Sequence, residues 1–140
     1  MSREVIERNT KVAIAITEKM KKGRNDLKKA KEKIIQLDKQ GELTIPFLKT
    51  TFEKLSESNE ELLKEISRYD YTYVVHEAEM TVKEKAIWEE FFNIKKFYDK
   101  ELSEFASFKE KYKYFEPKNS EELKKQARLL LEKKGYIVDS

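Results

Sequence analysis

The sequence predicts an all-α protein built on long helices, and three observations carry that expectation. Apolar residues recur at alternating steps of three and four from Ile6 to Leu37, the seam of a helix that packs along another helix. Charged residues make up 41% of the chain, while only three Gly and two Pro interrupt it. That composition suits solvated helix faces and leaves few turns for a sheet. Hydrophobic residues reach 39%, with eight Phe and seven Tyr, enough apolar surface to offset chain entropy and set disorder aside.

The first helix is expected from about position 3 to about 39, a rod about 55 Å long at roughly 1.5 Å per residue. Its seam reads Ile6, Asn9, Ala13, Ile16, Met20, Gly23, Leu27, Ala30, Ile34, Leu37. Two members stand out. Gly23 costs about 1 kcal/mol relative to Ala inside a helix, so it marks either a kink or a close approach by a bulky neighbour. Asn9 either fixes register, as a polar seam residue does in coiled coils, or faces water.

Gly41 then reads as a C-cap and Pro46 as the opening of the next helix. The reversal between them is short enough for an antiparallel neighbour. A second seam follows: Leu48, Phe52, Leu55, Asn59, Leu62, Ile66, Tyr69, Tyr73, His76, Met80. The expected unit is a long antiparallel, coiled-coil-like hairpin over 3–80. Charge agrees with it. Residues 1–39 hold twelve Lys/Arg against six Asp/Glu, whereas residues 40–92 hold six against twelve, the complementarity two paired arms would carry. Tyr69 to Val75 is strand-like by propensity, but the heptad runs through it and helix is the expectation.

After Met80 the phase breaks. Thr81 and Glu84 form a capping-box pattern, so a third helix is expected over about 82–115, with the seam Ile87, Phe91, Ile94, Tyr98, Glu101, Phe105, Phe108, Tyr112, Phe115. Trp88, Phe92 and Phe97 lie off that seam, so more than one side of this helix is apolar. Pro117 ends it. Asn119 and Glu122 form a second capping-box pattern, opening a short C-terminal helix over about 120–134 through Leu123, Ala127, Leu130 and Leu131. Gly135 stops that helix before the apolar tail Tyr136-Ile137-Val138. The whole, 1–140, reads as one helical domain.

Several chemistries lack their residues. Glycine occurs only at 23, 41 and 135, which removes the phosphate-cradling loops of P-loop and dinucleotide-binding proteins. The chain has no Cys, hence no disulfide and no thiolate metal site. His76 is the single histidine and falls on the second seam, while helical zinc and di-iron motifs each need a second imidazole. Adjacent carboxylates such as Glu60/Glu61 diverge around a helix axis. The expectation is therefore a protein that is no enzyme and takes no cofactor or metal. With no apolar leader and no stretch long enough to span a bilayer, a cytoplasmic protein without a membrane role is expected.

Two classes of partner remain. The leading expectation is a helical protein–protein interaction module, an adaptor, regulator or assembly subunit that also self-associates, as a dimer. Its contact would use Trp88, Phe91, Phe92, Phe97 and Tyr98, since aromatic anchors dominate interfaces; the other reading of these five is core. The alternative is nucleic acid. Lys21, Lys22, Lys28 and Lys29, with Arg24 nearby, point away from the first seam as a stripe that could track phosphates. Against this, Lys outnumbers Arg 25 to five, and Arg is the usual bidentate reader of phosphate and base.

Overall fold

The computed structural model describes residues 2–117, and every regular element among them is helical. The first helix, α1 (Ser2–Gln40), is uninterrupted over 39 residues, about 58 Å at roughly 1.5 Å per residue. Its seam is its buried face. Ile6, Ala13, Ile16, Met20, Leu27 and Ile34 are fully enclosed, and each large side chain so buried is worth about 1.5–3 kcal/mol.

Gly41 ends α1 with φ 73°, the left-handed conformation that glycine adopts without a Cβ clash. Its N–H donates to Asp38 O at 3.0 Å, and the Glu42 N–H donates to Leu37 O at 2.9 Å, so the last carbonyls of α1 are satisfied. The second helix, α2 (Ile45–Tyr69), starts on Thr44. The Thr44 hydroxyl accepts the Phe47 N–H at 3.3 Å, and Pro46 occupies the first turn, where its missing N–H costs nothing.

The contacts of α2 set its direction. Lys19 pairs with Glu65 at 3.0 Å, Gly23 lies beside Asn59, and Asn9 reaches Thr72 just past the helix end. As α1 positions fall, α2 positions rise, so the two run oppositely. The helix stops at Tyr69 rather than continuing to Met80. After Asp70 come the short α3 (Tyr71–His76) and a 3₁₀ turn (Glu77–Glu79). The interruption turns Thr72 inward, fully buried, where its hydroxyl accepts the Asn9 amide at 3.0 Å. Asn9 is thus neither solvated nor paired with a like residue; it holds α3 in place. The segment is helical, but its β-branched and aromatic residues are weak helix formers, and α3 is only six residues long.

The last described helix, α4 (Val82–Lys111), opens on a complete capping box. The Thr81 hydroxyl accepts the Glu84 N–H at 3.1 Å, and the Glu84 carboxylate accepts the Thr81 N–H at 2.9 Å. The break falls where the hydrophobic phase breaks in the sequence. Arg3 adds a second link there, donating to both Glu84 oxygens at 2.9 and 3.0 Å. α4 ends at Lys111, a turn short of Phe115, and closes through hydrogen bonds from Tyr112 and Lys113 back to Lys109 and Glu110. The expected helix over 120–134 and the tail at 136–138 lie outside the described residues.

α4 makes the most extensive contact with α1. Successive contacts are Thr10 with Trp88, Arg24 with Phe97, Lys31 with Glu101 and Asp38 with Tyr112. Both numbers rise together, so α4 runs parallel to α1. The α1 side of this contact is a polar row at seven-residue steps, Thr10, Thr17, Arg24, Lys31 and Asp38, beside the apolar seam. Much of the basic charge of α1 is met here rather than on α2: Lys21 pairs with Glu90 and Lys31 with Glu101 and Glu104. α1 is therefore the spine of the protein. α2 and α4 both rest on it and touch each other little, where Phe52 meets Phe105 edge-on at 5.7 Å and where the Tyr98 hydroxyl reaches Asn59.

Candidate interaction surface

Because α2 and α4 share a support but barely meet, an apolar groove is left between them. Phe52, Leu55 and Leu63 form one wall, Leu102, Phe105 and Ala106 the other, and Leu27 of α1 the floor. This part encloses about 210 Å³. A second part, about 460 Å³, continues past Ile45 and Leu48 to Tyr112 and Phe115, with Phe52 and Lys109 lining both. From Ile45 to Leu63 the α2 wall extends about 27 Å at the helical rise. Leu63 and Ile45 are 37% and 53% exposed and continue the apolar lining at its two ends. The rim is charged: Lys49, Glu110 and Lys113 stand towards the Phe115 end, Glu60 towards the other, and Lys109 lines both parts. Such a groove can take the apolar stripe of a helix. Among the described residues no histidine lines it.

One contact fixes the groove floor from all three long helices. The Tyr98 hydroxyl of α4 donates to Asn59 Oδ1 of α2, and Asn59 Nδ2 donates to Leu55 O at 2.6 Å. The ring of Tyr98 passes over Gly23 of α1, where an added Cβ would lie 3.1 Å from Tyr98 Cε1. Gly23 is therefore the site of a close approach. Burial, aided by the neighbouring Asp99 charge, pushes the Tyr98 phenol up to about 12, because a buried phenolate is poorly solvated.

The five aromatic residues expected at an interface do not share one surface. Trp88, Phe91 and Tyr98 are fully enclosed. Trp88 Nε1 donates to Thr10 Oγ1 at 2.9 Å, and its ring meets Phe91 edge-on at 5.1 Å. Phe92 is half-buried against Tyr73, the ring centroids 5.7 Å apart. Phe97 alone is exposed, under the Arg24 guanidinium at 5.0 Å from its ring centroid. Trp88 and Phe97, off the seam, face the polar row of α1 at Thr10 and Arg24, a second contact that the apolar seam does not announce. Of the groove residues, Leu55 stands on the second seam, whereas Leu63 and Leu102 were not singled out by sequence; their place off the main seams was the available signal.

The lysine stripe is split by its neighbours. Lys22, Lys28 and Lys29 are exposed. Lys21 bridges Glu18 and Glu90, both at 3.2 Å, and the Glu90 and Glu18 contacts raise its pKa. Arg24 is spent on Phe97 and sits half-buried. His76 is half-buried at 4.0 Å from Glu79. Among the described residues no group of three His, Cys, Asp or Glu is placed to hold a metal ion, and no helix is long and apolar enough to cross a membrane. Comparison of the chain with family models, curated proteins and solved structures yields no match.

Proposed function

We propose that this protein is a non-enzymatic helical interaction module, and that it works by accepting an amphipathic helix in the groove between α2 and α4. The hairpin of α1 and α2 serves as its scaffold and α4 as the second wall. The groove itself carries the reading: an apolar channel between two helices, open to solvent and rimmed by charges of both signs. An interface of this kind draws its affinity from a few aliphatic and aromatic side chains seated in a desolvated channel. The role that fits is an adaptor, regulator or assembly subunit of the cytoplasm. Self-association through the same groove is the homodimeric form of the reading.

The test uses Leu63→Glu/Leu102→Glu. Leu63 is exposed and Leu102 half-buried, so both introduced carboxylates have a path to solvent, and circular dichroism checks that the fold is kept. Capture from the native cell, in the presence of nuclease, is compared between the two chains. Partners retained by the parent and lost by the variant support the groove; the same partners on both contradict it. The nucleic-acid alternative rests on Lys22, Lys28 and Lys29. It requires recovery that collapses with nuclease, with salt, and with Lys22→Glu/Lys28→Glu.

A further inference from the structure

Two exposed apolar features stand at opposite ends of the α1 spine. One is the wide part of the groove, beside Ile45 and Phe115. The other is the outer face of α3. Thr72 is turned inward to Asn9, which leaves Tyr71, Val74 and Val75 facing solvent; the two valines are 79% and 64% exposed. These three positions fall at i, i+3 and i+4, and Ala78 follows at i+7 in the 3₁₀ turn, also exposed. That is the spacing with which a helix anchors itself in an apolar groove.

Within one chain the two features are too far apart to meet. Asn9 holds α3, whereas Asp38 accepts the hydroxyl of Tyr112 at the wide part; these α1 positions are about 43 Å apart at the helical rise. Between chains their charges match. Residues 70–79 carry Asp70, Glu77 and Glu79 and neither Lys nor Arg, with Arg68, Lys83 and Lys85 on the helices to either side. The wide part is lined by Lys49, Lys109 and Lys113 against Glu110. Glu110 lies 3.6 Å from Lys113, and among the described residues Lys49 and Lys109 make no ion pair. An apolar stripe flanked by acids thus has its counterpart in an apolar channel with two unpaired cations. From Tyr71 to Ala78 the stripe rises about 10 Å, a length that the wide part alone accommodates.

We infer that the wide part of the groove receives α3 of a second copy, so that chains join head to tail. This rests on the groove being a helix-binding site, and it names one helix that the site takes. The two joined surfaces differ, so the contact is heterologous. Each joint leaves one α3 and one groove open, and assembly continues until a ring, of two chains or more, closes. A single joint of this size is small beside the roughly 800 Å² per partner of a standard interface, which makes the association reversible and concentration dependent.

Sedimentation velocity on the full chain tests this with two variants at exposed positions, each checked by circular dichroism. Val74→Asp/Val75→Asp disables α3, and Lys49→Glu/Lys109→Glu disables the groove. The parent is expected to rise above monomer mass with concentration, and each variant alone to associate about tenfold or more weakly. An equimolar mixture of the two variants is expected to form a dimer that grows no further, because one intact α3 then meets one intact groove. Mixing that restores nothing overturns the head-to-tail joint. Association kept by the Lys49→Glu/Lys109→Glu chain overturns the groove as the receiving surface, and association kept by Val74→Asp/Val75→Asp overturns α3 as the helix received. A parent that stays at monomer mass overturns self-association, while loss of captured partners with Leu63→Glu/Leu102→Glu would still leave the groove a helix site.

Discussion

Replacing Tyr98 by Phe probes the point where the three long helices are fastened together. The substitution keeps the ring over Gly23 and removes one oxygen. Asn59 Oδ1, in a residue only 8% exposed, then loses the hydroxyl that donates to it. A buried acceptor left without a donor costs about 1–3 kcal/mol, more than the net worth of an ordinary hydrogen bond. With a slope of roughly 1–2 kcal/mol per molar urea for a chain of this size, the denaturation midpoint falls by about 1 M. Asn59→Ala in the Tyr98→Phe background recovers part of the loss, because it deletes the orphaned carbonyl; the cycle isolates the pair. Alkaline pH gives an independent reading. The phenol is held at about 12 when folded against 10.0 when free, so its folded-state pKa is the raised one. The stability it contributes is complete below pH about 10 and is lost as pH climbs through about 12, up to roughly 3 kcal/mol for two units. The stability gap between parent and Tyr98→Phe should narrow over that window. A gap below about 0.5 kcal/mol at neutral pH, within ordinary surface scatter, together with a flat alkaline difference, refutes the fastening role.

Other perturbations follow from the same contacts. Trp88→Phe removes the donor to Thr10 and part of an enclosed ring, and costs about 1–3 kcal/mol by urea denaturation; an unchanged midpoint contradicts the burial. Thr81→Ala breaks the capping box of α4 and costs about 1 kcal/mol, read as a lower thermal midpoint. Glu84 is held below the usual carboxylate range, first by the Arg3 hydrogen bond and then by the Thr81 backbone. Its contribution is therefore present above the unfolded pKa near 4.5 and lost as pH falls through the folded value, a dependence that Glu84→Gln should flatten. Lys31→Ala strands the buried Glu101 carboxylate, 2.8 Å from Lys31 Nζ, and costs about 1–3 kcal/mol. Glu101→Leu costs less, since it leaves only the partly exposed cation; the reverse order of the two midpoints contradicts the account.

The periodicity of the sequence disclosed which faces are buried more fully than it disclosed which helix covers them. Every seam residue from Ile6 to Leu37 is buried or half-buried, because a step of three and four residues leaves no other face for a long helix to bury. The capping box at Thr81 placed a boundary for a local reason, the reciprocal bonds within one turn. The helix end at Tyr69 was not legible, because the apolar phase continues to Met80 while the backbone turns so that Thr72 can meet Asn9. The partner of α1 was also under-specified. Opposite net charge pointed to α2, yet ion pairing with α4 is more extensive, through Arg3, Lys21 and Lys31, and the row Thr10, Thr17, Arg24, Lys31 and Asp38 beside the seam is polar and so invisible to an apolar count. The candidate surface was legible only in part. Aromatic content drew attention to α4, but enclosure by α1 removes Trp88, Phe91 and Tyr98 from the surface and leaves aliphatic residues to line the open channel.

Hydrogen exchange on the complex with a captured partner tests the central claim most directly. The account predicts new protection along α2 around Leu55–Leu63 and along α4 around Leu102–Lys109, with the outer face of α1 unchanged. Protection centred on Lys21–Lys29, or none along the groove, contradicts it.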